Sequence, residues 1–424
     1  MAGADQAAIV ADAIDAQSLV DLVVAAVAVP SVTPDEARFA AWVRDELARG
    51  GWDEVELRDA EPGRPNVYAA SGAGAGRSLV LAGHLDTVHG DDWAAHWRGT
   101  DRADPFAARL VDGEIWGRGA ADLKGGICTI IEVLRAVRRA GFRLRGRVHG
   151  LFVCDEESGQ PGCGLSAGMR AAVRHLFAGS GATPDFAIYA EPTDAAVYTA
   201  QMGFLIAEIT LTGRSAYFGT PEQGVDALRA GHALLDALWK HDRALRSGDA
   251  HDLLGGRFLL VTHVRAGESI AVPERFELSL IRKLLPGDDL DQAADALRGI
   301  AAGIAGEFGV AQDVRFTAPR DHPVGGTPDE VPSDHPGVAA LARCIAATTG
   351  ADARIEGAPY WSEKPLLHAV DIPGVYFAAG DISHCHTAFE RLPVDQLVAV
   401  ARTLAHFVVS WCGVTEDTPA TVMQ

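Results

Sequence analysis

Basic residues are the scarce charge in this chain: 37 lysines and arginines stand against 57 aspartates and glutamates, a formal charge of -20. Such a balance argues against nucleic acid or an anionic membrane surface as partner. Long apolar runs are missing too. The most apolar stretch, Leu22 to Val29, is stopped by Pro30 and is too short to span a bilayer. The N-terminal "MAGADQAAIVADAIDAQ" has neither a basic region nor an unbroken apolar one, so no signal peptide is read there. The six cysteines (128, 154, 163, 344, 385 and 412) form no CxxC pair. That excludes a disulfide framework and points to reduced, mostly core thiols in a cytoplasmic protein.

What is present is a soluble globular composition, 48% hydrophobic and 22% charged, over 424 residues, enough for two or three domains. The segment "SVTPDEARFAAWVRDELARGG" reads as a helix, with Thr33 and Glu36 as a capping box, Pro34 in the first turn and Gly50-Gly51 as the stop. "NVYAAS" and "SLVLAGHLDTV" read as neighbouring strands joined by a "GAGAGR" turn. A helix, "LKGGICTIIEVLRAVRRAG", and strands "RVHGLFVC" and "DFAIYA" continue an alternating α/β pattern that predicts a mostly parallel sheet.

Near residue 200 the pattern changes. "FLIAEITLTG" alternates as a half-exposed strand, and a helix, two strands and a further helix follow. This run predicts a small α+β domain with an antiparallel sheet, inserted into the first. The expected division is a catalytic domain in two parts, 1–199 and 319–424, around an inserted domain at 200–318.

In open α/β sheets, ligands sit beyond the carboxyl ends of the strands. Here those ends deliver His84 and Asp86, then Asp155, Glu156 and Glu157, then Glu191, then His384 and His386, with Asp122 just before a helix. Imidazoles and several carboxylates on one rim make a nitrogen and oxygen site suited to Zn²⁺, Mn²⁺ or Co²⁺. Three adjacent acids repel one another without a cation, and divalent ions balance them.

The ordered motifs "GHLDTV", "WGRGAADLKGG", "DEESG", "AEPT" and "CHTAFE" resemble those of one family. It is the dinuclear-metal hydrolases that include aminoacylases, acetylornithine deacetylases, succinyl-diaminopimelate desuccinylases and carboxypeptidase G. The resemblance implies a zinc-peptidase-like catalytic domain with an inserted lid that also forms a homodimer. It implies two divalent metal ions, one held by His84 and Glu191, the other by Glu157 and His386, with Asp122 bridging them. Asp86 would accept the second N–H of the His84 ring. Glu156 would be the general base, moving a proton from the metal-bridging water to the leaving nitrogen, and Asp155 would be structural.

Two lid positions depart from the family pattern. Tyr217 stands where members carry a histidine that steadies the oxyanion, and Ile270 where many carry an asparagine. Arg282 matches the lid arginine and could grip a substrate carboxylate bidentately. Phe218, Tyr360 and Trp361 add aromatic surface. Two activities on small carboxylate-bearing substrates are therefore expected: hydrolysis of an N-acyl amino acid or peptide, or replacement of the amino group of a nitroanthranilate-like ring by hydroxyl. A silent metal-binding scaffold is the reading from another class, set aside because every ligand position and Glu156 are filled. Cys385, beside His386, is read as packing.

Overall fold

The computed structural model describes residues 3–157, 162–176, 183–267 and 270–417. The chain divides into two compact units: Met1–Thr199 with Val331–Glu356 and Ser362–Gln424, and Ala200–Glu330 with Gly357–Trp361.

The first unit is built on a sheet whose strands run in the order Glu54–Glu61, Arg64–Ser71, Val148–Val153, Leu79–His84, Ala187–Tyr189, Gly374–Tyr376 and Val197–Gln201. The four strands from Val148–Val153 to Gly374–Tyr376 are mutually parallel, and the flanking ones antiparallel. Leu79–His84 and Ala187–Tyr189 are buried throughout, which is why they read as continuous apolar runs. Their carboxyl ends share one edge.

Helices flank this sheet. Gly125–Arg139 buries Ile127, Ile130, Ile131, Leu134 and Val137, a stripe at helical spacing. Its start lies close to a strand end: a Cβ on Gly126 would come within 2.7 Å of the Ala190 Cβ and carbonyl oxygen. Only glycine lets the helix begin there, one residue from Glu191. The last helix, Val394–Cys412, packs against Gly3–Asp12, Pro336–Thr349 and Gly125–Arg139.

Two local expectations fail in this unit. Strands Arg64–Ser71 and Leu79–His84 are not neighbours, because Val148–Val153 lies between them and bonds to both; "GAGAGR" is a crossover and not a hairpin turn. Thr33 and Glu36 do not cap their helix, which begins at Ala37 with no side-chain cap. Both side chains are drawn into buried tertiary contacts instead.

The second unit has an antiparallel sheet in the order Phe258–Ala266, Arg275–Leu284, Gly203–Thr212 and Ala311–Phe316. Alternate residues Leu205, Ala207, Ile209 and Leu211 enter a core with Phe276, Leu278 and Leu280 from the sheet and Leu234, Leu238 and Leu297 from two helices. Those helices, Ala227–Arg246 and Leu290–Phe308, start on Asp226 and Asp289, whose carboxylates accept first-turn N–H groups. Gly325–Gly326 pairs with Phe204 and Leu205, so this unit runs beyond the expected boundary at 318. No helix among the described residues is long and apolar enough to cross a membrane.

Candidate metal centre

His84 ends its strand fully enclosed. Its Nδ1 lies 2.9 Å from the Asp86 carbonyl oxygen. A carbonyl only accepts, so the proton sits on Nδ1 and leaves the Nε2 lone pair free for a cation. Nε2 faces Asp122 Oδ1 at 3.0 Å and Glu191 Oε1 at 3.7 Å. On the other side of Asp122, Oδ2 lies 3.1 Å from His386 Nε2, which is also 3.0 Å from Glu157 Oε1. The two oxygens of one carboxylate thus each meet a different imidazole.

Ligand atoms of His84, Asp122 and Glu191 lie within 4.8 Å of one another, as do those of Asp122, Glu157 and His386, and those of His84, Glu156 and Glu157. Seven residues expected from the sequence therefore fall in one place, Asp86 among them. His386 has φ +61, a conformation uncommon outside glycine and concentrated at functional positions. His384 stays outside, near Asp381. Cys385 is buried, with Sγ 3.6 Å from the Asp381 carbonyl, in the packing role expected.

Asp86 does something other than expected. Its main-chain carbonyl, not its carboxylate, takes the His84 N–H; the nearer carboxylate oxygen is 3.7 Å from the ring. The strand ends at His84, so the alternation that would align the two side chains stops there. The carboxylate instead accepts the Glu156 N–H at 3.2 Å, the Glu157 N–H at 2.8 Å and the Thr33 hydroxyl at 2.7 Å. It fixes the backbone of the acidic run from which both glutamates project.

Asp155, at φ +67, is saturated by Arg64 Nη1 at 2.7 Å and by the N–H groups of Gly164, Leu165 and Ala167. Arg64 also pairs with Glu36. Sequence reasoning missed Arg64, and missed Ser362, whose hydroxyl donates to Glu191 Oε1 at 2.7 Å; nothing local marks either residue. Replacing Arg64 with methionine leaves Glu36 and Asp155 as buried, unbalanced carboxylates. The expected loss is about 3–5 kcal/mol of stability, read as a lowered denaturation midpoint at unchanged slope.

The electrostatics show what the cluster lacks. Burial and the neighbouring charge of Asp122 push Glu157 up to about 8, and burial raises Glu191 well above its usual range. Burial also opposes the Asp122 charge, but a hydrogen bond from His386 and the adjacent His84 ring hold its carboxyl below the usual range. Hydrogen bonds to Asp122 and Glu157, working against burial, lift His386 to about 11. There is more buried negative charge here than the hydrogen bonds of the protein can satisfy. A pair of divalent cations meets that demand, and the mixed imidazole and carboxylate donors fit Zn²⁺, Mn²⁺ or Co²⁺.

The remaining expected residues belong to the second unit. Tyr217 is 66% exposed and Ile270 77%, with Phe218 against the Tyr217 ring at 4.4 Å. Arg282 is half-buried and donates to the Ala293 carbonyl at 3.1 Å. Trp361 donates to the Thr327 carbonyl at 3.0 Å and packs against Phe204 and Gly326.

Known proteins match this chain over most of its length. An acetylornithine deacetylase from Vibrio campbellii is 26% identical over 88% of this chain and 90% of its own. One from Edwardsiella ictaluri is 26% identical over 93% and 98%. Among solved structures, a tripeptidase from Staphylococcus aureus superposes with a TM-score of 0.74 at 17% identity, covering 94% of this chain and 99% of that one. Human carnosine dipeptidase 1 gives 0.73 at 16%, covering 97% and 99%. A dinuclear metal binding peptidase from Bacillus subtilis gives 0.65 at 18%, covering 94% and 98%. The family model for Peptidase family M20/M25/M40 matches residues 80–410, a span that holds every residue of the cluster. The chain belongs to Peptidase family M20/M25/M40 and is a metal-dependent hydrolase acting on C–N bonds.

Proposed function

We propose that this protein hydrolyses the amide bond of an N-acyl amino acid or small peptide that carries a free carboxylate. Two divalent ions would be held by His84, Asp122, Glu157, Glu191 and His386, with Zn²⁺ the first choice. The observation that carries the reading is Asp122, whose two oxygens each face a different imidazole at 3.0 and 3.1 Å. Ions bound there supply Lewis acidity and lower the pKa of water. Glu156, held beside the cluster by its N–H bond to Asp86, takes the proton of the attacking water and returns it to the leaving nitrogen. Asp86 and Ser362 orient the ligand side chains.

Within the second unit, Tyr217 offers a phenol that can donate where an imidazole would, and Arg282 a guanidinium that can pair with a carboxylate. Trp361, with its indole N–H already engaged, offers ring surface only. The acetylornithine deacetylases among the relatives support amide substrates over replacement of an aromatic amino group, which they do not favour.

Removing metal is the test. Protein stripped by a chelator is expected to lose its activity on N-acyl amino acids and to recover it as about two ions per chain return. Full activity in metal-free protein would defeat the reading. A cytoplasmic homodimer completes the proposal. Exposed Leu228, Trp239, Leu260 and Val264 on the second unit support association, and a monomer by sedimentation equilibrium would refute it.

A further inference from the structure

Glu390 lies four residues after His386, in the same short segment, and its side chain is fully buried. Its Oε1 accepts the N–H groups of Ala121 and Asp122, both at 3.2 Å. Its Oε2 accepts Arg118 Nη1 at 2.5 Å. Arg118 is itself buried and donates from Nε to the His89 carbonyl at 3.2 Å. The main chain repeats the link: the Gly117 N–H reaches the Glu390 carbonyl, and Arg391–Pro393 pairs with Glu114–Trp116.

A buried carboxylate one peptide unit from Asp122 adds negative charge where the site already has an excess. Arg118 cancels that charge, so the pair holds the turn without adding to the repulsion. Amide acceptors could meet the same N–H groups more weakly, because charge-assisted bonds are the stronger kind.

We infer that Glu390, fixed by Arg118, is a positioning residue for the half of the metal centre formed by Asp122, Glu157 and His386. It ties the turn that carries Asp122 to the segment that carries His386. It thereby sets the 3.1 Å approach of Asp122 Oδ2 to His386 Nε2. The inference rests on the dinuclear reading above. It says that affinity for the ion shared by these three residues depends on a side chain that touches no metal.

The test titrates metal-free wild type, Glu390→Gln and the double variant Arg118→Met/Glu390→Leu with Zn²⁺ against a chromophoric chelator, alongside thermal unfolding of each. Replacing a buried ion pair by apolar volume is often neutral for stability. The double variant is therefore expected to unfold near the wild-type temperature while binding one of its two ions about 10–100-fold more weakly. Glu390→Gln, which keeps one acceptor oxygen, is expected to fall between, and decides the matter alone if the double variant does not fold. Wild-type affinity for both ions in the folded variants would overturn the inference while leaving the dinuclear reading intact. Wild-type protein that takes up fewer than two ions would remove both.

Discussion

Glu156→Ala is expected to retain both divalent ions and to lose turnover by about 10²–10⁴-fold, with KM little changed. The argument rests on the division of labour between adjacent glutamates. Glu157 is buried and makes the 3.0 Å approach to His386, whereas Glu156 is half-buried and its position is set by main-chain hydrogen bonding to Asp86. Truncating Glu156 therefore removes a proton carrier and leaves the ligand geometry standing. Glu157→Ala is its counterpart and should lose an ion. Elemental analysis of the two purified variants beside their rates separates the roles. A Glu156→Ala protein that comes out metal-depleted would show that the two glutamates had been assigned the wrong way round.

Asp122→Asn is expected to reduce activity to background while the protein stays folded. Asparagine keeps the volume but exchanges one acceptor oxygen for an amide that only donates. One imidazole side of the present bridge then faces a group that cannot ligate. The ions lose their common ligand. Metal analysis should find at most one tightly bound ion per chain. A variant that still carries two ions and turns over near the wild-type rate would show that Asp122 does not join them.

The candidate site was largely legible because of one topological rule. His84, the acidic run at 155–157, Glu191 and His386 follow four strands that the structure makes parallel neighbours, so their strand ends had to share an edge. Asp122 lies on no strand and was reached only through its motif. What stayed hidden depended on distance in sequence. Thr33 and Glu36 carry the spacing of a capping box, yet Asp86 and Arg64 take their side chains. No local pattern distinguishes those outcomes. The carboxylate role that the resemblance implies for Asp86 fails for a local reason: the strand stops at His84, so residues 84 and 86 do not share a strand face.

The fold shows the same division. Buried parallel strands announce themselves as apolar runs, and the inserted sheet by alternation in Gly203–Thr212. Ala311–Phe316 was missed because it is an edge strand with a mostly exposed, polar face. The "GAGAGR" segment has the length of a hairpin turn. Only the later arrival of Val148–Val153 between its two strands makes it a crossover.

The most direct test of the central claim is product analysis. Protein loaded with Zn²⁺ or Mn²⁺ would be offered a mixed panel of N-acyl amino acids, dipeptides and aminobenzoates, with products identified by mass spectrometry. Cleavage of an acylated or peptide substrate into two fragments, one bearing a new amine and the other a new carboxylate, is the predicted result. A product that keeps its carbon skeleton, carries hydroxyl where the amine stood and appears with free ammonia would contradict it.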